Sequence, residues 1–361
     1  MQMTTKTGPI LRLHQPLPPG KLPNDLLHDF LAQFPINDPS LLIRPGVGED
    51  TAAIGLGNSE VLILKSDPIT FVSEAIGDYA VLINANDIAT SGATPRWFLT
   101  TLLFPEGTTA HEIRQVMQDI QTVCARCKIT LCGGHTEITD AVRRPVVTGM
   151  LAGTVAKDDL IDKRNMQKGD RILLTKGVAV EGTAILAREF GSRLRDLGMA
   201  RAEIETCRDF LSNISILEEA RRAGGPGEIT AMHDVTEGGL ATAVEELSTA
   251  GHHKIRIRMD KIPVYPQTEK ICRLLGIAPL GLIGSGSLLI VCKKDRSHQV
   301  EKRIRKAGID VACIGQVLEA GQGIQAVQDD QSVPWPRFEV DELARLFASN
   351  TQLDLGENPN H

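Results

Sequence analysis

Aromatic side chains make up only 4% of this 361-residue chain. Surfaces that stack nucleic-acid bases depend on such rings, so a single-strand platform is not expected. Positive charge is also short: 39 Lys and Arg face 45 Asp and Glu, a formal net charge of -6. That leaves no electrostatic footprint for a duplex, and the basic stretch from Lys302 to Lys306 reads as the solvated face of a helix. No apolar run is long enough to span a bilayer. The opening MQMTTKTGPILRLHQPLPPGK lacks the apolar block of a signal peptide. Seven cysteines, an odd number without a secretory signal, point to reduced thiols and a cytoplasmic setting. The GxxxxGK loop that cradles phosphates in Walker A proteins is missing.

What is present reads as a two-domain globular protein. The length exceeds what one small core organises, and 42% hydrophobic with 23% charged residues is ordinary for such a chain. Residues 1–36 are an extended Pro- and Gly-rich arm leading into a short amphipathic helix from Asp25 to Phe34. Residues 37–157 form an α+β domain. Its expected parts are strand VLILKSD (61–67), a helix over 78–92 with Asp78 as N-cap, strand RWFLTTLLF, helix TAHEIRQVMQDIQTVCARC, short strand ITLC and strand RPVVTGMLAGTV. The polar KDDLIDKRNMQKGD marks the junction. The second domain, 166–320, opens with RILLTK and carries expected helices at 180–190, 203–223, 238–250, 267–275 and 296–307. Strands are expected at 229–234, 254–260, 286–293 and 311–317. A tail over 321–361 loses its pattern apart from a helix at ELARLFA, and the final ENPNH looks frayed.

Three aspartates of the first domain stand where oxygen ligands are useful. Asp50 leaves the loop GVGED, Asp67 ends a strand beside Pro68, and Asp87 lies mid-helix one turn after Asn84. Each is explained locally as a cap or turn residue. Together they fit a Mg²⁺ site, since that ion takes carboxylates and bridges phosphates. A buried charge at Asp87 without a partner would be costly. In LCGGHTEITD, Gly133 and Gly134 permit close backbone approach, and His135, Thr136 and Glu137 offer polar groups beyond a strand, although a lone His there is usually a loop residue. Cys124, Cys127 and Cys132 read as a packed helix–strand junction rather than a metal site, because no partner CxxC or His pair follows. Finally, AMHDVTEGGLATAVEELS places Asp234 and Glu237 at a Gly-Gly helix start that favours an anion. A cation between the acids and a phosphate resolves that conflict.

The ordered series GEDTAAI, LKSD, NANDIATSGATP, GGHTE with TGMLAGTV, KGVAVEGTAILARE and MHDVTEGGLATAVEE resembles the aminoimidazole ribonucleotide (AIR) synthetase, or PurM-like, superfamily, and within it the hydrogenase-maturation HypE branch. The resemblance runs from about Ile43 to Val317. It implies an α+β, two-domain PurM-like fold, with an N-terminal ATP-binding domain that forms a dimeric β-barrel and a C-terminal α/β-sandwich. It implies ATP and Mg²⁺, with the metal on Asp50, Asp67, Asp87 and Asp234. Gly48, Asn84, Gly133, Gly134, Thr136, Gly238 and Gly239 would line the nucleotide site, and Asp87, His135 and Asp234 would serve catalysis. The expected chemistry is phosphorylation of an amide-like or carbonyl oxygen, on a small molecule or carried by a protein, in a homodimer with a maturation partner. Selenophosphate synthetase, thiamine-monophosphate kinase or a nucleotide-binding partner protein are the alternatives on the same fold. Because the last cysteine is Cys313 and the chain ends DLGENPNH, self-modification on a C-terminal thiol is not expected. The catalytic Cys and Lys of selenophosphate synthetase have no counterpart in LRLHQPLPPGKLPND, where Lys21 is a remote candidate.

Overall fold

A computed structural model describes residues 16–356 except Pro18, Phe34 and Ser73, with side chains as far as residue 349. The start of the expected N-terminal arm, the Phe34 end of its helix and the final ENPNH lie outside the described residues.

The first domain is a mixed sheet with helices on one face. Its strands are β1 (Leu41–Ile43), β2 (Ala52–Gly55), β3 (Glu60–Ile69), β4 (Thr94–Phe104), β5 (Thr130–Ile138) and β6 (Val146–Ala156), in the order β1-β2-β3-β6-β4-β5. Helix α1 (Asn24–Leu31) precedes them, and α2 (Ile76–Thr90) and α3 (Ala110–Arg126) follow β3 and β4. Thr109 and Glu112 close a capping box at the start of α3. On β3 the alternation of Val61, Ile63, Lys65, Asp67 and Ile69 selects one face, so the two charged residues project to the side where Val61 and Ile63 are buried. Helix α2 is apolar almost all round, and every residue but Asp78 is buried. Asp78 is not its N-cap. That place is held by Ala75 in a left-handed conformation, while Asp78 pairs with Arg126 at 3.3 Å from within the first turn.

Strand β5 overturns one expectation: GGHTE is not a loop but the exposed edge of the sheet, paired in parallel with β4. Gly134 is needed there because a Cβ would collide with the Thr100 carbonyl. The face of this sheet opposite the helices presents Trp97, Leu99 and Met150, each 36% to 41% exposed.

The second sheet comprises β7 (Arg171–Thr175), β8 (Ile229–Asp234), β9 (His253–Arg258), β10 (Leu288–Cys292), β11 (Val311–Ala320), β12 (Ile324–Gln328) and β13 (Gln331–Val333), ordered β13-β12-β9-β11-β7-β10-β8. Its helices are α4 (Val180–Glu189), α5 (Gly191–Asp196), α6 (Arg201–Arg208), α7 (Leu217–Ala223), α8 (Gly239–Ala250), α9 (Pro266–Leu275), α10 (Ser297–Lys306) and α11 (Glu342–Gly356). Helix α8 packs on one face through Leu240, Val244 and Leu247, and α7 with α10 on the other through Ala220, Val300 and Ile304. Two boundaries differ from expectation. The supposed tail supplies β12 and β13, because β12 finds a parallel partner in β9. The expected helix over 203–223 breaks, because its middle backbone is bound elsewhere. Asn86 donates to the Ile214 carbonyl at 2.8 Å and accepts from Ile216 N–H at 2.9 Å, and Lys176 donates to the Asn213 and Ser215 carbonyls.

Asn86 thereby fastens α2 to the second domain through two buried hydrogen bonds. Replacing it (Asn86→Ala) strands both backbone groups. The expected loss is about 2–4 kcal/mol of stability in a urea melt, whereas a change below about 0.5 kcal/mol would show that this joint carries no weight.

Candidate functional site

A cleft of about 420 Å³ lies where the two domains meet, bounded by the 46–50 loop, β3, α2, α4 and the start of α8. Its acids arrive from separate elements. Lys65 and Asp67 come from one face of β3, Asp87 from α2, Asp50 from the GVGED loop, and His233 with Asp234 from the end of β8. Gly48 lets the loop sit directly against the α8 backbone, where a Cβ would strike the Glu246 carbonyl. Asn84, one turn before Asp87, donates to the Asp67 carbonyl at 3.4 Å and to Ala80 at 2.8 Å.

A continuous chain of ion pairs crosses the cleft floor. Lys21 holds Glu246 at 2.5 Å, Glu246 meets His233 Nε2 at 3.3 Å, His233 Nδ1 meets Asp50 at 2.8 Å, and Asp50 meets Lys163 at 2.8 Å. Lys65 lies 3.1 Å from Asp87 and 3.4 Å from Asp67. Burial would raise the Asp50 carboxyl, but His233 and Lys163 outweigh it and hold it below the usual carboxylate range. Burial likewise opposes a charge on His233, yet Asp50 and Glu246 raise its pKa to about 9.

Asp87 and Asp234 are treated differently. Burial, then the Asp234 charge, pushes Asp87 well above the ordinary value. Burial, then the Asp50 charge, pushes Asp234 upward. Asp87 Oδ2 and Asp234 Oδ2 are both buried with no hydrogen-bond partner among the described residues; the Lys65 contact to Asp87 lacks bonding geometry. Two crowded, under-satisfied carboxyls among three lysines and a histidine are a site short of positive charge. Ligand atoms of Asp50, His233 and Asp234 lie within 4.8 Å of one another. A hard divalent cation with oxygen preference fits the carboxylates of this set, with Asp67 at its more exposed edge, while His233, bonded at both ring nitrogens, holds Asp50 rather than a metal.

Toward the other wall the cleft turns apolar, with Val72, Ile83, Ile185 and Ile283, and ends at Glu181 and Ser285. Ser285 N–H donates to Glu181 at 3.3 Å, while Ser285 Oγ is buried without a partner. Burial lifts Glu181 to about 7.

Of the residues expected at the site, Gly48, Asp50, Asp67, Asn84, Asp87 and Asp234 come together. Gly133, Gly134, His135 and Thr136 do not line this cleft; they sit on exposed β5, where His135 meets Glu137 at 3.3 Å. The backbone of Gly238 and Gly239 is not free for a phosphate. Gly238 N–H donates to Asp341 at 2.6 Å and Gly239 N–H to the Thr236 carbonyl at 3.0 Å. Asp341 also accepts from Leu343 N–H at 2.7 Å, so one carboxylate serves the starts of α8 and α11. Glu237 accepts the Lys21 backbone N–H at 2.8 Å. Cys124, Cys127 and Cys132 are free thiols at the α3–β5 junction, and burial raises Cys124 to about 11.

Sequence reasoning passed over Lys65, Lys163, His233 and Glu246. The signals were thin but present. Lys65 precedes Asp67 by two, the strand period; His233 adjoins Asp234; and Lys163 is hidden in the polar stretch read as a junction.

Fold and cleft together define a two-domain α+β protein with an acidic, cation-seeking site between its halves. Residues 48–155 match the N-terminal domain and residues 167–327 the C-terminal domain of AIR synthase related proteins. The chain belongs to the AIR synthase related family. It is similar to the carbamoyl dehydratase HypE of Cupriavidus necator, 25% identical over 288 residues that cover 76% of this chain and 78% of that one. It is also similar to a selenide, water dikinase of Methanocaldococcus jannaschii, 26% identical over 336 residues, covering 87% and 93%. A solved hydrogenase maturation protein HypE in complex with ATP shares its fold, with a TM-score of 0.65 and 19% identity over 85% of this chain and 92% of that one.

The Glu181 shift has a consequence for stability. Its carboxyl ionises near 7 when folded, against 4.5 ordinarily. Between those values the folded state holds a proton that the unfolded chain has lost. Stability from this group is complete below 4.5 and falls as pH rises through 7. Glu181→Gln removes the titration, so its melting temperature should drop less than wild type's between about pH 5 and about pH 8; parallel curves would refute the assignment.

Proposed function

We propose that the protein is an ATP- and Mg²⁺-dependent enzyme that phosphorylates an amide-like or carbonyl oxygen. The observation that carries this reading is the pair of buried oxygens of Asp87 and Asp234 that lack a hydrogen bond at the cleft floor, the Asp87 oxygen facing only the Lys65 charge at 3.1 Å. Asp50, Asp67, Asp87 and Asp234 would hold the metal. Bound there, it would neutralise charge on the phosphates of ATP.

The chain's own residues set the rest. Lys163 and His233 keep Asp50 ionised and fixed, and Lys65 lies against both Asp67 and Asp87. Lys21 and Glu237 draw the N-terminal arm across the cleft rim, which screens it from water. At the far end Glu181 and the free Ser285 hydroxyl supply an acceptor and a donor for the second substrate. An amide presents both complements, a carbonyl oxygen for Ser285 and an N–H for Glu181. As the amide oxygen bonds to the γ-phosphorus, the bond to the leaving ADP oxygen breaks and the amide proton passes to Glu181. The acceptor is either a small molecule that enters this cleft or a group presented by a maturation partner. Assays with selenide or thiamine monophosphate, scored for AMP against ADP, separate the kinase-type alternatives by product.

The activity test is ATP turnover. Asp87→Ala should lower it about a hundredfold or more, while its melting temperature without Mg²⁺ stays level or rises, because a repelled buried carboxyl has gone. Equal turnover in variant and wild type would sink the site.

A homodimer belongs to the same proposal, since the exposed apolar face of Trp97, Leu99 and Met150 suits a second copy. The β5 residues Gly133, Gly134, His135 and Thr136 enter the catalytic reading only through that copy. Leu99→Asp with Met150→Asp should convert a dimer to a monomer in light scattering; a wild-type monomer would end this part of the proposal.

A further inference from the structure

The second sheet carries a basic groove that the proposed activity does not use. Helices α7 and α10 cover β8, β10 and β7 on one face. The same face continues over β11, β9, β12 and β13, where a groove of about 560 Å³ remains open. Pairing registers place four side chains in one row across four strands: Gln325 on β12, Arg256 on β9, Gln316 on β11 and Arg171 on β7. Residues directly opposite on one sheet face interact, and like charges so gathered are destabilising. The row alternates arginine with glutamine, which spaces the two cations without neutralising either.

Hydrogen bonding within the row is directional. Arg171 donates to Gln316 Oε1 at 3.0 Å and Arg256 to Gln325 Oε1 at 3.2 Å. A guanidinium has five N–H donors and no acceptor, and a glutamine whose oxygen is engaged still has its NH₂. What the row still offers is therefore chiefly N–H. Neighbouring charges are answered elsewhere: Arg258 pairs with Asp260 at 3.3 Å and Lys254 with Glu319 at 3.3 Å. Neither Arg171 nor Arg256 has a carboxylate ion-pair partner among the described residues. Asp330 stands on the rim, at the β12–β13 turn, and bonds to neither. The surplus is local, since the whole chain is acidic at -6.

We infer that this groove is a second ligand site, which binds a small phosphate-bearing molecule through Arg171, Arg256 and the amides of Gln316 and Gln325. Planar guanidinium forks match phosphate oxygens in pairs. The enclosed volume lies in the range of small-molecule pockets rather than of a flat protein interface. Val327 and Gly315 give it a floor without competing charge. Both a free phosphate ion and a phosphate ester meet this description. The site stands apart from the acid-lined cleft and does not depend on what that cleft catalyses.

The test is calorimetric titration of the full chain, in EDTA and at low salt, with inorganic phosphate, pyrophosphate and ADP as probes. We expect saturable binding that Arg171→Gln with Arg256→Gln weakens about tenfold or more, and that Asp87→Asn leaves intact. Arg256→Gln alone, at an exposed position, keeps the test if the double variant folds poorly. Phosphate binding as tightly as ADP would identify the free ion as ligand, and ADP alone an ester. Arg171→Lys with Arg256→Lys should retain only part of the affinity, because charge remains but the fork is lost. Unchanged affinity in the glutamine variants, loss of all binding in NaCl of matched ionic strength, or binding of poly-glutamate but no phosphate probe would each overturn the inference.

Discussion

The structure turns on a carboxylate almost wholly removed from water. Asp87 lies on a helix buried on nearly every side, and its partner across the domain junction, Asp234, is equally hidden. Removing such groups from water is costly unless charge and hydrogen bonds are returned to them. Only part is returned. Lys65 brings its charge to within 3.1 Å of Asp87, but one oxygen of each carboxyl is left without a hydrogen bond. The fold keeps this deficit at the meeting of two domains, beside an open cleft, and the proposed metal site rests on it.

Around that deficit neighbouring charges are paired. Asp50 is held through Oδ2 by His233 and Lys163, Glu246 by His233 and Lys21, and Asp341 by two helix starts. These pairs hold the loop, the arm and both domains in one arrangement, so the carboxyls do not move to find partners of their own. The helix opening at Gly238 illustrates the division of labour. Its appetite for an anion is met by Asp341 from within the chain.

The two sheets leave contrasting surfaces open. The first shows aromatic and aliphatic side chains beside an unprotected edge strand, a pattern that burial against a second protein relieves. The second shows an arginine–glutamine row with donors to offer. Apolar area and unanswered guanidinium groups call for different partners, and the fold keeps them on different sheets.

Much of the plan was legible in the primary structure because it rests on local periodicity. Both domains, most strands and helices, and the aspartates at 50, 67, 87 and 234 follow from apolar spacing and from acids at the ends or within apolar segments. The ordered motifs pointed to the family that the domain matches establish. Local pattern failed where a distant group decided the outcome. The helix over 203–223 broke because Asn86 and Lys176 took its backbone, GGHTE became a strand because β4 lay beside it, and the tail joined a sheet because β9 had a free edge. The Gly238 N–H that was expected to face a phosphate is instead taken by Asp341, a hundred residues away in sequence. Residue types and their spacing thus determined which chemistry was available. Which acids would be neutralised and which left wanting was decided only by folding, because electrostatic and hydrogen-bond energies depend on distance and burial rather than on order along the chain.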